Sequence, residues 1–184
     1  MIAPGHVTES EPNETVPTPE WIAIARYGRV PQVARFGGEG IKPERDSLIR
    51  VTTDRGEELA SVLGLTGVST ADSEALTGQV QRIATQRDLE DFDTLESESE
   101  TEFAVWEKRV HDWKMQLQLI DIERTLDRRL ILYVLNERGP ETTRLALLAA
   151  AGGHGIIHVQ PVTSEGIPNE KAKGGCGDCG CSTH

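Results

Sequence analysis

Through the most acidic part of the chain runs an apolar stripe that fits one kind of structure. Phe92, Leu95, Ser99, Phe103, Trp106, Val110 and Trp113 follow one another at steps of 3, 4, 4, 3, 4 and 3 residues. That spacing is one face of an α-helix. Between Asp88 and Glu102 there are eight acidic residues and no basic ones. The acids read as the solvated side of a long helix, with a docking face for a basic partner as the alternative. Trp106 and Trp113, seven apart, then read as core anchors rather than a base-stacking platform.

The segments around this helix read as strands. "EWIAIARYG", with Trp21, Ala23 and Ala25 alternating against Ile22, Ile24 and Arg26, is followed by "VARF" and "SLIRVTT", broken by "FGGEGIKPERD"; together they predict a small β module. Arg55-Gly56-Glu57 predicts a hairpin turn with Gly56 supplying a positive φ. "TGVSTADSEALTG", residues 66–78, is small, polar and aperiodic, the pattern of a loop, and "QVQRIAT" predicts one more strand before the helix.

Beyond the helix, "LQLIDIERTL" and "RLILYVLNE" predict a hairpin in a sheet buried on at least one face. Pro140 and Glu141 open a short helix that Gly152 stops, and "GIIHVQPV" returns as a strand. The expected fold class is α+β. It comprises a small N-terminal β module, a long helix and a β-β-α-β unit.

The two ends differ from this body. Residues 1–19 hold four prolines, several Glu and Thr and no Lys or Arg, which predicts a disordered acidic tail. Residues 20–163 form the expected single α+β domain, and 164–184 a Cys-rich tail. The start has neither a basic n-region nor an apolar h-region, and no stretch is long and greasy enough to span a bilayer, so a cytoplasmic protein without membrane contact is expected.

All three cysteines of the chain lie in that last segment, as Cys176-x2-Cys179-x-Cys181-x2-His184. An odd number crowded at one end is a poor disulfide framework and suits a reducing compartment. Three thiolates and an imidazole on a glycine-rich backbone offer soft ligands for zinc, copper(I) or an iron-sulfur cluster. Zinc would take all four, whereas a cluster would draw a fourth cysteine from a second chain or partner. A flexible thiol-rich tail is the other reading. A redox Cys-x-x-Cys role is disfavoured because no helix N-terminus is at hand to lower a thiol pKa. His154 and His158 straddle a helix end and a strand, so their i, i+4 spacing is not that of a helical metal pair.

Charge narrows the partners. A formal net charge of −11 opposes indiscriminate phosphate binding. Any nucleic-acid contact must be local. Residues 21–56 carry seven Lys or Arg against four acids, and Arg26, Arg35, Arg50 and Arg55 stand near Trp21, Tyr27 and Phe36. Cations among aromatics on small strands are what an RNA-reading surface needs; scattered arginines on half-buried strands would look the same. "FGGEG" and "AAAGGHG" match no phosphate loop, and no Ser-His-Asp order or carboxylate pair stands out. No enzyme is expected.

Taken in order, "VTTDRGEELASVLG", "RIATQRDLEDF", "VWEKRV", "MQLQLIDIERTLDRRLILYVL" and "GGCGDCGCSTH" resemble the polymerase-suppressor C-terminal domain family, whose bacterial members are the YaaT-like or RicT-like proteins. The resemblance covers about Val33 to His184. It implies a non-enzymatic adaptor or regulatory subunit in RNA processing and decay, acting through protein partners. It also implies an iron-sulfur cluster held by cysteines, and in some relatives RNA binding. The tail departs from the family's common Cys-Gly-x-x-x-Cys-Cys ending, because Cys176-Gly-Asp-Cys179-Gly-Cys181 is one residue shorter and differently grouped. A metal-binding module without an RNA role and a direct RNA binder are the competing expectations.

Overall fold

The structure, a computed structural model, describes residues 18–68, 76–136, 139–164 and 166–168. It is an α+β protein. Five strands, β1 (Trp21–Tyr27), β2 (Gln32–Gly38), β3 (Leu48–Thr52), β4 (Glu57–Thr66) and β5 (Gly78–Ile83), close into a barrel in the order β1-β2-β5-β3-β4. After them come α1 (Gln86–Asp112), β6 (Gln118–Arg124), β7 (Leu130–Leu135), α2 (Pro140–Ala151) and β8 (Ile157–Val162). The last three strands form a sheet in the order β6-β7-β8.

The period-2 pattern of β1 is what fills the barrel. Trp21, Ala23, Ala25 and Tyr27 are buried with Phe36, Ile49, Val51, Ala60 and Val62 in one cluster, while Ile24 and Arg26 point outward. Alanines leave room for the rings: Tyr27 and Phe36 meet edge to face at 5.4 Å. Full burial of a side chain such as Phe36 contributes about 2–3 kcal/mol. Closure depends on β5, which pairs parallel with β2 through only Phe36↔Gly78 and Gly37↔Gln79, and antiparallel with β3. A Cβ at Gly78 would sit 1.7 Å from the carbonyl oxygen of Thr52, so no other residue fits at that seam.

Expected "small β module" and observed barrel differ chiefly in β4. It follows the expected Arg55-Gly56-Glu57 turn and runs ten residues, with Glu58, Ala60 and Val62 buried at alternate positions. It pairs with both β1 and β3. The expected 66–78 loop is bounded by β4 and β5, and residues 69–75 within it lie outside the described residues.

Helix α1 begins two residues before Asp88, at a capping box. The Thr85 side chain accepts from the Asp88 N–H, and the Asp88 carboxylate accepts from the Thr85 N–H. Its 27 residues carry the expected stripe inward, with Leu95, Ser99, Trp106 and Val110 buried and Trp106 edge to face with Trp113 at 6.4 Å. No helix among the described residues is long and apolar enough to cross a membrane.

Strand β7 explains its own unbroken apolar run, because both its faces are covered. Leu130, Leu132 and Val134 pack with Trp106 and Val110 of α1 and Leu145 and Ala149 of α2. Ile131 and Tyr133 face the other way and pack with Val30 of the β1–β2 turn. The central strand of the second unit is thus the surface on which the barrel rests. Strand β8 pairs parallel to β7 by way of α2, and β6 pairs antiparallel to it.

Candidate functional site

The junction between barrel and sheet is where the charged residues converge. It is built from two hairpin turns. The β3–β4 turn is closed by Thr53, whose N–H donates to the Gly56 carbonyl at 2.8 Å and whose hydroxyl accepts from the Arg55 N–H at 3.1 Å. Gly56 has φ +142, and a Cβ there would lie 2.5 Å from Asp127 Oδ1. That contact marks the second turn, between β6 and β7. The Leu126 N–H donates to the Glu57 carbonyl at 2.7 Å, and the Glu57 N–H donates to Asp127 Oδ1 at 3.1 Å.

Arg55 passes from the first turn into the interior and is 3% exposed. Its guanidinium pairs with the Glu58 carboxylate, donates to the Tyr133 hydroxyl at 2.9 Å and lies 5.0 Å from the centroid of the Tyr27 ring. The Tyr133 hydroxyl in turn donates to Glu123, and Glu123 also accepts from the Arg29 N–H at 3.1 Å. Burial raises the Glu58 pKa, with Arg55 opposing it. Burial and the nearby Glu123 charge raise that of Tyr133. The surrounding acids keep Arg55 charged despite its desolvation.

Asp88 is a second hub. It accepts from Arg50 at 2.9 Å, from Arg82 at 2.8 Å, and from Thr85. The Arg82 hydrogen bond, followed by those of Thr85 and Arg50, holds its carboxyl well below the usual range. Arg29 is a third. Its Nε donates to Asp121 at 2.8 Å, and its terminal nitrogens reach Glu96 at 3.2 Å and Glu100 at 3.7 Å.

Burial removes one of the four arginines expected to form an RNA-reading face. Arg55 is corrected outright: it is a buried strut between the two halves, and a phosphate backbone has no access to it. Arg50 is committed to Glu57 and Asp88. Arg35 is half-buried on β2, in register with Ile24. Arg26 is exposed on the outer wall of β1, in register with Val33. The acidic run of α1 is also corrected in part. Glu96 and Glu100 pair with Arg29, Glu98 with Arg128 at 3.3 Å and Glu102 with Arg124 at 2.7 Å. Much of this face meets arginines of neighbouring elements instead of water alone.

His154, in the loop after α2, is exposed and packs edge to face on Trp106 at 5.0 Å, whereas His158 is half-buried in β8. Among the described residues no group of three or more His, Cys, Asp or Glu is placed to hold a metal. Cys176, Cys179, Cys181 and His184 lie outside the described residues.

Two concavities flank the junction. One, of about 340 Å³, lies between the barrel wall and the first half of α1, with Tyr27, Leu48, Leu59, Phe92 and Arg26 in its lining. The other, of about 520 Å³, lies beside the second half of α1 and the β6–β7 turn.

Sequence assigns no role to Glu58, Glu123 or Tyr133. The available signal was a tyrosine inside an apolar strand run and glutamates at inward-facing positions, each of which needs a partner when buried.

No family model and no solved structure matches the chain. The chain is similar to Stage 0 sporulation protein YaaT of Bacillus subtilis (strain 168), with 28% identity over 165 residues, covering 86% of this chain. It spans 59% of that relative's length. This similarity supports the YaaT-like family to which the sequence motifs point.

Proposed function

We propose that the protein is a non-enzymatic regulatory subunit or adaptor in RNA processing and decay. It works in the cytoplasm through protein partners and carries a metal on Cys176, Cys179, Cys181 and His184. The observation that supports this most is the alignment of nearly the whole chain with a protein named for a sporulation stage, a regulatory role. The chemistry of the tail fits metal: three thiolates and an imidazole match the four ligands zinc takes, and an iron-sulfur cluster would need one further cysteine from a partner.

Affinity purification of the full chain tests the reading, beside a form truncated after residue 163. Recovery of a nuclease or RNA-associated partner by both forms supports an adaptor. Recovery of none counts against it, and loss of all function on truncation favours a metal carrier without an RNA role. Anaerobic purification with assay of iron, sulfide and zinc tests the tail. Iron with sulfide, lost in Cys179→Ser, supports a cluster, zinc makes the tail structural, and metal-free protein removes the metal from the proposal.

A second reading, direct RNA binding through the barrel, rests on exposed Arg26 beside Val33. It predicts affinity that falls steeply with salt and is lost in Arg26→Gln.

A further inference from the structure

The chain is strongly acidic, at −11 overall, yet one concavity gathers positive charge. The pocket of about 520 Å³ has Arg109, Arg124, Arg128, Arg129 and His154 in its wall and Glu102 as its single acidic residue. Three separate elements deliver these cations: the last turn of α1, the β6–β7 hairpin, and the loop after α2.

Their pairings differ in strength. Glu102 is already neutralised, since both its oxygens accept from Arg124, at 2.9 and 2.7 Å. Arg128 meets Glu98 at 3.3 Å and Arg129 meets Asp127 at 2.8 Å, with arginine side chains 66% and 56% exposed. Such solvated pairs contribute little, so both guanidiniums change partner easily. Arg109 lies against a ring: its Cζ is 4.8 Å from the Trp106 centroid. A buried indole thus holds the cation in place without neutralising it.

The backbone adds a second observation. Arg128 has φ +64, the left-handed region that hairpin turns ordinarily give to Gly or Asn. An arginine there is strained relative to glycine. The turn keeps a cation where its geometry favours no side chain. At the rim, Ile156 is 94% exposed and Val105 48%.

We infer that this pocket binds a phosphate-bearing ligand. Guanidinium forks arriving from several directions suit an oxyanion with several acceptor oxygens, and the volume and apolar rim leave room for an organic group beside it. A phosphate ester meets both demands. The inference stands on this geometry alone and does not depend on the regulatory-subunit reading.

Equilibrium binding of the full chain to pyrophosphate and to a short 5′-phosphorylated oligouridylate tests it, at low and at moderate salt. The informative variant is Arg109→Gln with Arg128→Gly. Glycine relieves the left-handed position, so Arg128→Gly alone should keep or raise Tm while binding weakens, which a folding defect would not do. Wild type should bind at least one probe, and the double variant should bind about tenfold or more weakly, the loss of one or two charge-assisted contacts. Displacement of the oligonucleotide by pyrophosphate identifies a terminal or free phosphate as the ligand, and binding of the oligonucleotide alone identifies the phosphodiester chain. The inference is overturned if wild type binds neither probe or if the double variant binds as wild type does. It is also overturned if polyglutamate displaces either probe equally well, or if Arg26→Gln abolishes binding while the double variant retains it.

Discussion

Arg55 donates to the Tyr133 hydroxyl at 2.9 Å across 78 positions of sequence. This bond joins the β3–β4 hairpin of the barrel to the central strand of the sheet. Tyr133 would otherwise carry a hydroxyl into a buried face, and Arg55 a charge, and each makes the other tolerable. Glu58 and Glu123 complete the set, so the contact between the halves is specified by geometry as well as by apolar burial.

Removing one member of that set should cost more than removing the pair. Arg55→Met leaves Glu58 buried without its cation, and the expected loss is about 3–5 kcal/mol. Arg55→Met with Glu58→Met removes both charges and should recover a large part of that loss. Urea denaturation of the two single variants and the double variant gives the coupling directly. Additive losses would show that the ion pair does not hold the junction.

The barrel seam makes a steric prediction. A Cβ at Gly78 would meet the Thr52 carbonyl oxygen at 1.7 Å, and backbone on both sides cannot move without opening β5 from β2 or β3. Gly78→Ala should therefore cost about 3 kcal/mol or more and should raise hydrogen exchange first in β5. Gly64, where a Cβ would meet nothing within 4 Å, is the control. Gly64→Ala should leave Tm near that of wild type. Equal effects at the two sites would mean that β5 is not clasped as described.

These two sites also mark what sequence could and could not reveal. The stripe from Phe92 to Trp113 and the alternation from Trp21 to Ala25 were legible because their periods are local. The β7 run was legible as buried, but only the structure shows that its two faces serve different cores. Closure of the barrel was not legible, since it rests on two parallel register pairs between β2 and β5. Nor was the fate of Arg55. Beside a glycine in a hairpin turn it has the local pattern of an exposed residue, and its burial comes from the second turn docking on the first. The acidic face of α1 misled for the same reason: Arg29, Arg124 and Arg128 reach it from other elements.

Acid sensitivity should be concentrated at Asp88. An unfolded aspartate titrates at ~3.9, whereas in the fold the Arg82, Thr85 and Arg50 contacts hold Asp88 well below that. A depressed folded pKa gives stability that is fully present above the unfolded value and is lost as pH falls below it toward the folded one. Glu58 has the opposite sign. Its pKa is raised, chiefly by burial, so its contribution is most favourable at low pH and declines as pH rises above an unfolded value of ~4.3. Wild-type stability should therefore fall on acidification below about pH 4 through Asp88, whereas the Glu58 contribution changes only at pH values above that window. Asp88→Asn should be less stable at neutral pH by about 2 kcal/mol, through the weakened cap and lost charge-assisted bonds, and its acid limb should be flatter. Thermal melts across pH 2.5–7 of both proteins decide the matter. Parallel curves for the two would remove Asp88 as the hub that ties the start of α1 to Arg50 and Arg82 of the barrel.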